Sequence, residues 1–226
     1  MKKFDLISLS TLLSVILIGC GSSSVIDSDY NNLIVQGVPP EVFDSHLIKD
    51  DDIEYDSNQE NQTNTNYKIS SISNTDRDKF LREINSARAS SRNCGREGSF
   101  PAVSSLSWNT KLYEACYEHN YDMKNANTFS HDGSGTQYDI TGVLIEEPSS
   151  PYNRVVNTSY FYDAHYYGIV ENIAMGPHDI KEVVSYWLED DLHCANIMRE
   201  DFTEMGISKV LSDHGYYYWT NILGYK

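Results

Sequence analysis

Apolar and polar positions alternate along this chain in four separable ways. Residues 6–18 form a predominantly apolar run, and residues 21–75 carry no sustained apolar period. From residue 76 onward the period becomes helical, and near the C-terminus it becomes that of strands. Ser73-Asn74-Thr75 supply capping side chains for a helix running to about Ser90, with Phe80, Leu81 and Ile84 on one face. A second helix is predicted from Asn109 or Thr110, where Leu112, Ala115, Cys116, His119 and Met123 recur at helical spacing. Ile180, Val183, Val184, Trp187 and Leu188 fall at i, i+3, i+4, i+7 and i+8 and predict a third helix, with His193 at its exit. Glu171 to Gly176 reads as a short strand. Glu204–Leu211 and Tyr216–Gly224 are two further β runs joined by Ser212-Asp-His-Gly215, a hairpin signal. The last run is apolar on both alternations, which places it centrally with both faces covered. Between Phe129 and Tyr167 the pattern predicts a turn-rich, irregular stretch. Helices first and strands late imply an α+β layered sandwich.

The totals narrow the function classes. The 226 residues allow one domain with appendages, or two small ones, and 40% hydrophobic residues can build a core. The formal net charge is −16, and residues 21–75 hold ten acids against two lysines. That balance excludes non-specific nucleic-acid binding, which depends on Lys and Arg at phosphates, and disfavours attraction to anionic lipid headgroups.

Lys2 and Lys3 followed by the 6–18 run have the order and length of a secretory signal, too short for an ordinary transmembrane helix. Leu17-Ile18-Gly19-Cys20 resembles the bacterial lipobox, which implies lipidation of Cys20 as the mature N-terminus; Gly21 implies outer-membrane sorting where two membranes exist. The expected organisation is a lipoprotein signal peptide over 1–19, a flexible acidic tether over 20–75, and a domain over 76–226. The expected location is the bacterial cell envelope, extracytoplasmic, with the lipid bilayer as partner through the anchor. The tether, with its Asp50-Asp51-Asp52 run and Asn-rich 58–66 segment, is read as a self-repelling spacer.

Seven pieces of the domain stand in the order and spacing of one family: Phe-Leu-x-x-Ile-Asn-x-x-Arg (80–88), Leu-x-Trp-Asn (106–109), Phe-Ser-His-Asp-Gly (129–133), Glu-Asn-Ile-Ala-x-Gly (171–176), Trp-x5-His-Cys-Ala-Asn-Ile-Met (187–198), Phe-Thr-Glu-Met-Gly (202–206) and Tyr-Trp-Thr-Asn-x-Leu-Gly (218–224). Together they resemble the CAP superfamily (cysteine-rich secretory, antigen 5 and pathogenesis-related 1 proteins) in its bacterial SCP-like branch, over about residues 76–226. The resemblance implies a three-layer αβα sandwich with a cleft lined by His131, Glu171 and His193. Relatives outside bacteria carry a second acid a turn after the helix tryptophan. Asp190 stands there, read either as a cleft acid or as a solvated helix residue. The resemblance also implies a Cys94–Cys194 disulfide. In the chain-entropy model, closing a loop of that length is worth about 4–5 kcal/mol.

Cys116 falls on the apolar helix face and packs as a small thiol, and His119 beside it is read as a packed, hydrogen-bonded core histidine. Cys194 as a nucleophile is disfavoured, because adjacent residues on a helix do not face each other. Two neutral imidazoles, His131 and His193, suit zinc or another divalent ion, with Glu171 as orienter of a histidine or as base toward bound water. The favoured expectation is a membrane-anchored binding module taking a metal and a lipid, glycan or peptide ligand. Two alternatives stand beside it: a metal-assisted envelope hydrolase with Glu171 as candidate catalytic residue, and a structural protein with a non-functional cleft. No serine-nucleophile motif, His-Glu-x-x-His pair or phosphate loop is present.

Overall fold

The computed structural model describes residues 67–162, 164 and 167–226; the expected signal peptide, Cys20 and the expected tether as far as residue 66 lie outside the described residues. Helix α1 (Asn74–Arg88) begins where Ser73 Oγ accepts the Asp76 amide, and it buries Phe80, Ile84 and Ala87. Its last residue, Arg88, is fully buried and donates to the carbonyls of Ser104, Ile197, Arg199 and Phe202. One guanidinium therefore ties the end of α1 to the C-terminal end of the segment that carries His193. A small hairpin follows, β1 (Arg92–Asn93) and β2 (Ser99–Phe100), with a 3-10 turn at Gly95–Glu97 between them.

Strand β3 (Ser107–Trp108) leads into α2 (Thr110–Ala126), capped by Asn109 and ended by Asn127 in the left-handed region. The remaining elements are α3 (Ile140–Ile145), α4 (Pro151–Asn157), β4 (Gly168–Gly176), α5 (Ile180–Glu189), α6 (Asp191–Met198), β5 (Glu204–Leu211) and β6 (Tyr217–Tyr225). The main sheet has the order β3-β5-β6-β4: β3 runs parallel to β5, and the other pairs are antiparallel. The expected central position of the last run is met by β6, which is buried over Tyr218–Gly224. Strand β4 is the sheet edge and carries Glu171.

Helix α2 covers one face of the sheet, while α1, α5 and α6 cover the other with Trp187, Ile180 and Ile197 fully buried. Each of the two isoleucine side chains contributes about 1.5–3 kcal/mol on removal from water. Gly206 on β5 permits the close approach of α2: a Cβ there would collide with the backbone of Leu112 and Tyr113.

The structure departs from the sequence pattern in two places near the candidate site residues. The 129–167 stretch, expected to be irregular, contains α3 and α4. Both are too short to show an apolar period; what starts them is capping, by Asp139 at α3 and by a Ser150/Asn153 capping box with Pro151 at α4. The helix expected to end at His193 instead ends at Glu189. Asp190 turns extended (φ −92°, ψ 133°) and caps a new helix, so His193 lies in the first turn of α6. In addition, residues that the pattern assigns to the tether pack on the domain: the Tyr67 ring contacts those of Tyr117 and Tyr121, and Tyr113 Oη donates to the Ser70 carbonyl.

Candidate functional site

Glu171 is the centre of a hydrogen-bonded network that includes His131. Its side chain is 2% exposed, yet neither oxygen lacks a partner. Oε1 accepts from His131 Nδ1 at 2.9 Å, and Oε2 accepts from Arg154 Nη2 at 3.0 Å. His119 Nε2 stands 3.9 Å from Oε1 while bonding the Ser130 carbonyl at 2.8 Å. Burial alone pushes the Glu171 carboxyl up. The Arg154 guanidinium, then His119 and His131, overturn that and hold it at about 2. His119, fully buried, is pushed down to about 3 by burial and then by Arg154, so it is a neutral imidazole at neutral pH. It is a packed, hydrogen-bonded residue as expected, but it also belongs to the Glu171 network.

Arg154 carries no apolar signal, and sequence reasoning missed it. From α4 it reaches Ser149 O, Ser149 Oγ, His131 O and Glu171 Oε2, and it is 1% exposed. The loop that delivers His131 is held by further carboxylates. Asp139 accepts from the Gly135, Gly142 and Ser149 amides and from Ser149 Oγ; Asp122 accepts from the Ser134 amide and hydroxyl; Glu118 accepts from the Thr141 amide. Burial raises the Glu118 and Asp122 carboxyls, against hydrogen bonds from Thr141 and Ser134 respectively and then the Arg154 charge, which pull them down.

His193 is anchored separately. Cys94 and Cys194 are bonded, with Cα atoms 5.5 Å apart, so the residue next to His193 is fixed to the β1–β2 hairpin. Asp191, in the same turn, accepts from the Arg96 amide and Nε, both at 3.0 Å. Gly95 between these ties has φ +57°, and a Cβ there would run into Asp191. Asp190 is the α6 cap: its Oδ1 accepts the Leu192 and His193 amides and lies 3.2 Å from His193 Nδ1, without hydrogen-bond alignment to that nitrogen. Burial lowers the His193 imidazole; Asp190 pulls it up and the nearby His131 pushes it down again. Cys116 is buried and unbonded to another sulfur, its thiol raised by burial.

The donor set bears on a metal. Among the described residues no three His, Cys, Asp or Glu side chains converge as a metal-holding group. Glu171 has both oxygens committed, so an ion here would take His131 and His193 and complete its coordination with water. The neutral His193 fits that role, as does His131 held at Nδ1 by a carboxylate, the usual outer-shell support of a metal-bound imidazole.

A four-stranded sheet between α2 and the α1/α5/α6 layer, with two histidines and a gripped glutamate by its edge strand, defines an α+β sandwich of CAP type. Residues 81–223 match CAP: Cysteine-rich secretory protein family, and the chain belongs to that family. An outer surface protein from Borrelia burgdorferi shares the fold, at 18% identity and TM-score 0.50, over 71% of this chain and 98% of that one. An extracellular protein containing a SCP domain from Bacillus anthracis is 19% identical, with TM-score 0.44, over 70% of this chain and 45% of that one. NaASP2, solved with Zn2+, is 15% identical, with TM-score 0.41, over 69% of this chain and 82% of that one. No curated protein sequence matches the chain.

Proposed function

We propose that this chain is a lipid-anchored, extracytoplasmic CAP-domain binding module. Its His131/Glu171/His193 cleft binds a divalent ion, zinc or a similar metal, and presents a surface to a lipid, glycan or peptide ligand. The observation that carries binding over hydrolysis is the commitment of Glu171. A general base needs an available oxygen and a pKa near the working pH. Glu171 has Oε1 on His131, Oε2 on Arg154 and a carboxyl held at about 2. The metal, when bound, supplies Lewis-acid charge; His131 and His193 hold it, and Glu171 orients His131. The buried Cys94–Cys194 bond supports an oxidising compartment, in keeping with the signal sequence and Cys20.

Zinc titration by calorimetry on the wild type, His131→Ala and His193→Ala tests the metal site, with weakened binding expected in both variants. Unchanged affinity in both removes it. Metal-dependent turnover of an envelope substrate, lost in Glu171→Ala, would overturn the binding reading in favour of a hydrolase. Cys20→Ala is expected to release the protein from membranes, and retention of that variant on membranes contradicts the anchor.

A further inference from the structure

We propose that Arg154 is the positioning residue of the cleft: by gripping Glu171 Oε2 and the His131 carbonyl together, it aims Oε1 at His131 Nδ1, and the carboxylate so aimed holds the ring proton on that nitrogen. The argument begins with what each group can do. A guanidinium donates and never accepts, and an ionised carboxylate only accepts. With Oε2 taken by Arg154 Nη2 at 3.0 Å, Oε1 is turned to His131 Nδ1 at 2.9 Å. That nitrogen must therefore donate, and Nε2 becomes the basic nitrogen of the neutral ring.

The grip is built for orientation. Arg154 Nη2 also holds the His131 carbonyl at 2.8 Å, so the backbone and the ring of His131 answer to the same guanidinium. Nη1 holds Ser149 O at 2.9 Å and Ser149 Oγ at 3.1 Å, and Asp139 fixes Ser149 from behind through Oγ and the amide. Arg154 is 1% exposed, and its planar fork reaches loop, helix start and strand at once, a geometry that a lysine ammonium cannot reproduce.

The consequence is sharpest in Glu171→Gln. Arg154 accepts nothing, so it draws the amide oxygen to itself and turns the amide NH2 toward His131 Nδ1. A donor at that position requires Nδ1 to accept, and the proton moves to Nε2. The tautomer is read by long-range nitrogen-15 correlation spectra of the metal-free protein at a pH of about 8.5, above the ordinary histidine range. The wild type is expected to show the Nδ1–H form and Glu171→Gln the Nε2–H form. Arg154→Lys keeps the charge without the fork and is expected to give a mixed signature, so the proposal remains testable should Glu171→Gln fail to fold. An Nε2–H wild type, a retained Nδ1–H form in folded Glu171→Gln, or an unmixed Nδ1–H signature in folded Arg154→Lys overturns it. A second arm rests on the proposed metal role of His131: zinc affinity is expected to fall roughly 10–100-fold in Glu171→Gln, the usual cost of losing an outer-shell partner. A protein that inverts its tautomer yet binds no zinc overturns the metal reading and sustains the role of Arg154.

Discussion

Acid should destabilise this fold through a histidine that never touches solvent. His119 has an imidazole held at about 3 by burial and by Arg154, against about 6.5 in an unfolded chain. Its folded pKa is depressed, so the unfolded state takes up the proton first as pH falls. The stability that neutral His119 contributes is complete above a pH of about 6.5 and is lost as pH falls toward about 3. At about 1.4 kcal/mol per pH unit, the loss between about pH 6.5 and 4.5 is about 3 kcal/mol, a large share of a typical domain's stability. The test is His119→Gln, in which the amide nitrogen can keep the bond to the Ser130 carbonyl but does not titrate. Urea denaturation of both proteins in steps of one unit from about pH 7.5 to about pH 4.5 gives the stability gap between them. That gap is expected to shrink by about 3 kcal/mol across the series. Other groups titrate as well. His193, lowered by burial, has the same sign, while Glu118 and Asp122, raised by burial, gain stability on acidification; all three are present in both proteins and largely cancel in the gap. A gap that stays constant with pH would refute the reasoning and mean that His119 is hydrated or charged in the fold.

Three further outcomes follow from the same contacts. Replacing Cys94 and Cys194 together by serine opens a 100-residue separation and should cost about 4–5 kcal/mol in urea denaturation; a loss under about 1 kcal/mol would mean that the other ties hold α6 unaided. Arg88→Met leaves the Ser104, Ile197, Arg199 and Phe202 carbonyls without their donor, and a loss of at least about 3 kcal/mol is expected from thermal or chemical unfolding. Gly206→Ala drives a methyl into the α2 backbone and should cost about 1–3 kcal/mol as overpacking; an unchanged midpoint would show that α2 shifts without strain.

The chain announces its large elements because they bury continuous faces. Ile180, Val183, Val184 and Trp187 line one side of α5, and β6 is apolar on both alternations because both its faces are covered. The site residues His131, Glu171 and His193 were legible only through the family resemblance; their spacing in sequence says nothing about their meeting. Arg154 was not legible at all. Within Tyr-Asn-Arg-Val-Val-Asn an arginine reads as solvated, and charged side chains are almost never fully buried without a partner. The usable signal was Ser150-Pro151 with Asn153 three positions on, which marks a helix start and places Arg154 within the short helix that follows. Asp190 misled for a related reason. In a run of acids the capping residue looks like its neighbours, and only the two amides it accepts distinguish it.

His131 and His193 are held by unrelated devices, and that separation bears on the proposed binding role. His131 is set from below by Arg154 and Glu171, which tie it to α4 and the edge strand. His193 is set by its helix turn, which the Cys94–Cys194 bond and the Arg96–Asp191 contacts clamp to the hairpin. The His131 ring and the His193 backbone are thus fixed before any ligand arrives, which reduces the entropy that binding must offset. On the proposed reading, the same order leaves Glu171 no free oxygen to act as a base, since it is spent on fixing the His131 ring and on Arg154. A Glu171 freed from Arg154 could serve as a base but would no longer orient His131. Under the proposed binding role, the geometry trades catalytic freedom for a preset pair of donors.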